Sequence, residues 1–350
     1  MSFEPDYTMM IDVIQNQKPK RLPLYEHIIS PVIMERILGL EFGDLQYGSE
    51  ADTQEFFRQY CHFFKEMTYD TVSFEVCITD ILPGHGAIMG GKAGPIQNRH
   101  DFERYPWEQL PELFWQQAEK QFTSLGRMMP KGMKAIGGIG NGVFEISEDL
   151  VGLEYLAYMQ VDDPELHADL YQKIGDLMYV LWDRFLKQYT DVFAICRMGD
   201  DLGFKSGFLF SPETIRSYIM PQYKQIIHLI HSHQKLFLWH SCGCIFDIMD
   251  EMIELGIDAK HSNEDQIAPF DKWIDLYSEK IGLVGGIDVN LLCQEEPGDI
   301  KQKVIEDGKR FRQTARGYAL GSGNSIPDYV PVDGYLAMIE AAKMIRGETV

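Results

Sequence analysis

LFLWHSCGC, residues 236–244, reads as a short buried strand that ends in chemistry: four apolar residues, then a histidine, a serine and two cysteines around a glycine. The run is too short for a helix and is bounded by polar and turn residues. Seven other runs share the design: 21–27 (RLPLYEH), 71–77 (TVSFEVC), 134–139 (KAIGGI), 192–198 (VFAICRM), 257–261 (IDAKH), 281–287 (IGLVGGI) and 317–320 (GYAL). Long amphipathic stretches separate them. Residues 163–187 open on Asp-Pro and carry Leu166, Leu170, Ile174 and Leu177 at helical spacing, and 211–232 open on Ser-Pro-Glu, a cap with a first-turn proline and acid. Eight strands alternating with helices predict an α/β fold, a (β/α)8 TIM barrel in one domain spanning 1–350, with 1–20 as an N-terminal extension.

Such barrels carry their chemistry at the C-terminal ends of the strands. That rule collects Glu26 and His27 after the first run, Glu75 and Asp80 after the second, and Arg197, Asp200 and Asp201 after the fourth. His240, Cys242 and Cys244 follow the fifth, His261 and Asn263 the sixth, Asp288 the seventh and Asn324 the eighth. The stretch 84–127 is long enough for a lid or pocket wall. The glycine-rich 137–142 (GGIGNG) lacks the spacing and the Lys-Ser/Thr of a phosphate loop and reads as a close-approach strand end.

The net charge of −21 excludes partners that need a basic surface, nucleic acid and anionic membrane among them. No apolar stretch reaches the ~18 residues of a membrane span. Six scattered cysteines in a chain without a secretory-type start read as reduced thiols in a cytoplasmic protein.

Five blocks add specificity: 198–212 (MGDDLGFKSGFLFSP), 239–243 (WHSCG), 252–258 (MIELGID), 284–290 (VGGIDVN) and 321–331 (GSGNSIPDYVP). In order and spacing they resemble the uroporphyrinogen decarboxylase superfamily, and residues 78–82 (ITDIL) extend the likeness, with Asp80 at the position of the family's catalytic aspartate. The resemblance implies two chemistries, decarboxylation of uroporphyrinogen and methyl transfer to or from a cobalt corrinoid. The decarboxylases grip their polycarboxylate with an arginine-rich segment after the first strand, whereas residues 25–39 here hold only Arg36, and Asn324 stands where they carry a histidine. Methyl transfer therefore ranks first.

Within the methyltransferases, one branch binds zinc through a His-x-Cys pair, matched by His240 and Cys242, and a third cysteine, whose place Asn324 takes. Cys244 is one substitute, giving the set His240, Cys242 and Cys244; Glu26 is another. A second branch demethylates phenyl methyl ethers with a Glu, Glu, His set at a spacing that Glu26, Glu41 and His62 reproduce. This match implies that the chain moves the methyl group of a methoxylated aromatic to cobalt(I), zinc or a general acid activating the ether oxygen. The corrinoid would come from a partner protein, because the chain lacks an Asp-x-His-x-x-Gly signature; a homodimer is implied by resemblance only. Asp80, Asp200, Asp201 and His240 are the expected catalytic groups, and Tyr25, Arg197, Trp239 and Asn324 the expected substrate contacts. The rival readings are methyl transfer from methyl-corrinoid to a thiol or tetrahydrofolate, uroporphyrinogen decarboxylation, and a non-catalytic tetrapyrrole-binding barrel.

Overall fold

The computed structural model describes residues 3–348. Nine strands follow one another: β1 (Val72–Cys77), β2 (Ala135–Gly140), β3 (Phe193–Gly199), β4 (Gly203–Phe204), β5 (Gly207–Phe208), β6 (Leu236–His240), β7 (Ala259–His261), β8 (Gly282–Ile287) and β9 (Tyr318–Ser322). Seven form one curled sheet in the order β1-β2-β3-β6-β7-β8-β9, parallel throughout. β4 and β5 make a small antiparallel ribbon beyond the end of β3. Long helices cover the sheet, including Pro164–Tyr189, capped by the Asp163 carboxylate. The helical run from Pro212 to Ser232 begins under the Ser211 hydroxyl, as its sequence predicts, and carries one π turn at Ile215–Ile219.

The expected first strand is a correction. Residues 21–27 make no regular ladder; Leu24 bridges Leu320 and Ile29 bridges Ile326, both in parallel sense. Pro23 is the physical reason. Its carbonyl accepts from the Leu320 amide at 3.0 Å, but it has no N–H to continue a ladder. On the other side the Ser73 hydroxyl donates to the Glu26 carbonyl. The segment therefore spans the gap between β9 and β1 by isolated bridges and side-chain bonds, completing a barrel-like wall around a half-barrel of seven paired strands.

Strand periodicity separates two cores. Ile136, Ile195, Leu238, Ala259, Val284 and Ala319 point inward and form the interior cluster with Tyr25. The alternate residues, such as Phe237 and Trp239, join the larger core between sheet and helices. The predicted N-terminal extension is structural: Met10, Val13 and Ile14 of helix Thr8–Ile14 pack into the interior cluster and close its floor. The approach is so close that a Cβ on Gly282 would lie 2.2 Å from the Val13 carbonyl oxygen. With its floor plugged, the barrel presents its polar residues at the strands' C-terminal ends. Among the described residues no helix is long and apolar enough to cross a membrane.

Candidate metal centre at the barrel mouth

Just above the apolar interior lies a closed polar layer. The Arg197 guanidinium on β3 donates to Glu75 Oε2 through Nε (3.1 Å) and Nη2 (2.6 Å), and through Nη1 to the His27 carbonyl (2.8 Å), Tyr25 Oη (3.2 Å) and Ser73 Oγ (3.3 Å). Arg197 and Tyr25 are buried. Their polar atoms are spent on fastening the irregular first segment to β1 and β3, and burial pushes the Tyr25 phenol up to about 12, so it stays neutral. Tyr25 and Arg197, expected as substrate contacts, thus lie buried beneath the mouth with their polar atoms bonded within the protein.

Above them three histidines converge. The His27 ring stacks on His240 with centroids 3.8 Å apart. His240 Nδ1 lies 2.8 Å from His261 Nδ1, and His261 Nε2 lies 3.0 Å from the Ser322 carbonyl. Burial drives all three imidazoles towards the neutral form, His261 to about 3. The parallel register that pairs His240 with His261 across β6 and β7 creates this contact.

The outer nitrogen of His240 faces two further donors. Nε2 is 3.5 Å from Cys242 Sγ and 3.8 Å from Asp201 Oδ1, and that carboxylate oxygen also accepts from the Cys242 amide at 2.8 Å. Asp201, His240 and Cys242 form one of two groups among the described residues whose ligand atoms all fall within 4.8 Å, the other being His27, His240 and His261. Tetrahedral zinc with ordinary bond lengths separates an imidazole nitrogen from a thiolate by about 3.6 Å and from a carboxylate oxygen by about 3.4 Å, so the set suits the ion. Burial pushes the Cys242 thiol well up, with Asp201 adding to the effect, and a bound cation would favour the thiolate. Asn324 donates to Glu264 Oε1 at 2.7 Å and reaches Cys242 Sγ at 3.6 Å. It lines a cavity of about 190 Å³ with Glu264, Asp288, Asn290 and Tyr329, so it is a wall of the mouth.

Other expectations change. Cys244 does not join the cluster; its amide bonds to the Phe204 carbonyl of the β4–β5 ribbon, and Asp201 supplies the third donor instead. The set Glu26, Glu41 and His62 does not converge. Glu26 is buried and accepts from the Ser322 amide at 2.8 Å and from its hydroxyl. Glu41 is exposed beyond helix Pro31–Leu38, and His62 stands exposed on the outer helix Glu50–Glu66, 3.8 Å from Glu66. Trp239, expected as a substrate contact, does not face the mouth: with His240 facing it, its neighbour on the strand must face the helices, where it packs near Tyr223. Asp200 is not a free acid. Its buried carboxyl accepts from the amides of Phe144 (2.9 Å) and Glu145 (2.8 Å) and from the Tyr223 hydroxyl, holding the start of helix Val143–Val151. Burial raises it to about 7. Asp80 is exposed on the loop after β1, its carboxyl pushed up by its surroundings and by Asp149. Of the expected catalytic groups, Asp201 and His240 alone meet in one cluster.

Glu145 and Glu264 escaped the strand-end rule because they lie on the helix and loop that follow, and Lys260 because it faces the helices. Glu145 Oε1 accepts from the Asp201 amide at 3.3 Å, and burial with Asp200 and Asp201 nearby pushes its carboxyl well up. Lys260 donates to the carbonyls of Ser241 and Ser262 over the Trp273 ring.

Glu26 gives a pH dependence. Burial lifts its carboxyl from 4.5 to about 8, so the folded protein keeps a proton that the unfolded chain releases. Its contribution to stability is full below about pH 4.5 and falls as pH rises towards 8, by at most about 1.4 kcal/mol per pH unit. Glu26→Gln should remove that slope between about pH 5.5 and about pH 7.5 in urea unfolding; equal slopes in variant and parent would refute the assignment.

A family model described as Uroporphyrinogen decarboxylase (URO-D) matches residues 10–345. Among solved structures, a methyltransferase from Methanosarcina mazei superposes with a TM-score of 0.72 and 14% identity, covering 97% of this chain and 99% of that one. A rutinosidase from Aspergillus niger gives a TM-score of 0.45 at 8% identity, over 95% of this chain and 98% of that one. Xylanase B from Clostridium stercorarium F9 gives 0.44 at 7%, over 78% and 91%. No curated protein sequence matches.

Proposed function

The chain belongs to the uroporphyrinogen decarboxylase family, and on that premise we propose that it is a corrinoid-linked methyltransferase, moving the methyl group of a methoxylated aromatic to cobalt(I) of a partner corrinoid protein. The observation that carries the reading is the Asp201, His240 and Cys242 cluster at the barrel mouth. The likeness to a methyltransferase supports the reaction class.

An aryl methyl ether needs a strong nucleophile on its methyl carbon and something to neutralise the departing phenolate oxygen. Zinc bound by Asp201, His240 and Cys242 would supply Lewis acidity towards that oxygen. A carboxylate in place of a second thiolate leaves the metal harder and better matched to oxygen than to a thiol acceptor. The chain's residues do the rest: Asp201 ties the Cys242 amide in place, His27 backs the His240 ring, and Asn324 and Glu264 form a polar wall beside the sulfur. Phe204 (60% exposed) and Tyr329 (70%) offer flat faces to an aromatic ring at the rim.

The same mouth is unsuited to a polycarboxylate. Asp201, Glu264 and Asp288 give it acidic character, and Arg36 lies exposed, donating to the Asp328 carbonyl at 3.3 Å. Uroporphyrinogen decarboxylation is disfavoured on both counts. The test is anaerobic absorbance of cobalt(I) corrinoid mixed with the protein and methoxylated phenols, methanol or methylamines. Loss of the cobalt(I) band with the methoxylated aromatics alone is expected. Methyl loss from methyl-cobalt(III) to a thiol or folate, with no donor consuming cobalt(I), would reverse the direction.

A further inference from the structure

The three mouth histidines are not equivalent. The Ser322 carbonyl can only accept a hydrogen bond, so the proton in its 3.0 Å contact with His261 sits on His261 Nε2. The wholly buried His261 meets only the Ser322 carbonyl and His240 at its ring nitrogens, with no carboxylate to offset a second proton, which leaves its Nδ1 bare. The 2.8 Å contact between His261 Nδ1 and His240 Nδ1 still needs one proton, and it must be carried by His240. His240, itself buried, carries that single proton on Nδ1, so its lone pair lies at Nε2, the nitrogen facing Cys242 and Asp201. Any other distribution of protons on the neutral pair sets two lone pairs against each other, either between the rings or against Ser322.

We infer that His261 is a positioning residue for the centre, holding His240 in the tautomer that presents a lone pair at Nε2. The inference rests on reading Asp201, His240 and Cys242 as metal ligands. A metal-binding histidine commonly fixes its second nitrogen on a carboxylate or carbonyl; here a second histidine takes that place. The chain of contacts continues into the barrel wall. The Ser322 amide and hydroxyl are held by the buried Glu26 carboxyl, so the residue whose carbonyl fixes His261 is itself pinned. His27, stacked on His240, restrains ring rotation. Glu26, expected from its spacing to be a ligand, acts three residues away from the metal through Ser322, His261 and His240.

Two variants separate this role from simple packing. His261→Asn keeps an oxygen able to accept near the Nδ1 position, whereas His261→Leu keeps bulk and loses the acceptor. Long-range 15N–1H correlation of metal-free protein labelled at histidine reads the tautomer directly, and titration with cobalt(II) alone reads the centre through thiolate-to-metal absorption. The parent and His261→Asn should show His240 protonated at Nδ1 and bind cobalt(II) alike. In His261→Leu the Nε2-protonated form should appear and affinity should fall about 10- to 100-fold. Protonation of His240 at Nε2 in the parent overturns the inference, as does His261→Leu that matches the parent in tautomer and affinity. A parent that binds no cobalt(II) while keeping the Nδ1–H tautomer overturns the metal reading instead, and with it the role of His261 towards a metal.

Discussion

Cys242→Ala is expected to strip the protein of zinc and to lower methyl transfer by about 10³-fold while the fold remains intact, the scale of losing several kcal/mol of Lewis-acid stabilisation. The sulfur sits at the centre of the cluster: it lies 3.5 Å from His240 Nε2 and 3.6 Å from both Ser262 Oγ and Asn324 Nδ2. Alanine leaves a nitrogen and a carboxylate, too few protein ligands for a catalytic zinc site, which ordinarily has three. These three partners are polar and Cys242 belongs to neither apolar core cluster, so stability should change little. Metal content of purified protein and turnover with a methoxylated aromatic are the two readouts. Cys244→Ala is the internal control, since only its backbone amide is engaged, and it should retain full metal. Stoichiometric zinc in Cys242→Ala would rule out this centre.

Arg197→Met should unfold at much lower urea concentration, with a loss of about 3–5 kcal/mol, because it strands the Glu75 carboxylate beneath the mouth without its partner. The replacement also leaves the His27 carbonyl and the Tyr25 hydroxyl without their donor. A lysine cannot make the repair, having no planar fork to engage Glu75 through two nitrogens while a third reaches the first segment. Combining Arg197→Met with Glu75→Gln removes the stranded charge, and the double variant should recover part of the loss. If Arg197→Met alone were as stable as the parent, the polar layer would not be what secures the irregular first segment.

Both predictions begin from residues that the strand-end rule singled out, yet their roles diverge. His240 and Cys242 were legible because a strand that stops at the mouth delivers its last residue and the next loop there. Asp201 was legible as a strand-end acid, though its partner was not. Trp239 was misread against a local rule: period-2 alternation cannot send both Trp239 and His240 to the same side. Glu26, Glu41 and His62 failed for the opposite reason, since spacing along a chain says nothing about approach when one residue faces the barrel interior and another rides the outer face of a helix. Pro23 was visible from the start, and it is the reason the first run bridges β9 without becoming a strand.

Local periodicity, caps and composition were therefore enough to specify strands that alternate with helices, an acidic barrel and the polar residues that crown it. Those properties depend on neighbours a few positions apart. Which crowning residues meet was decided by the tertiary structure. His261 reaches His240 through the register of two parallel strands, Asp201 reaches Cys242 across 41 positions, and Glu26 reaches Ser322 across 296. Such contacts arise from sheet curvature and closure, and no local pattern encodes the side on which a distant residue arrives.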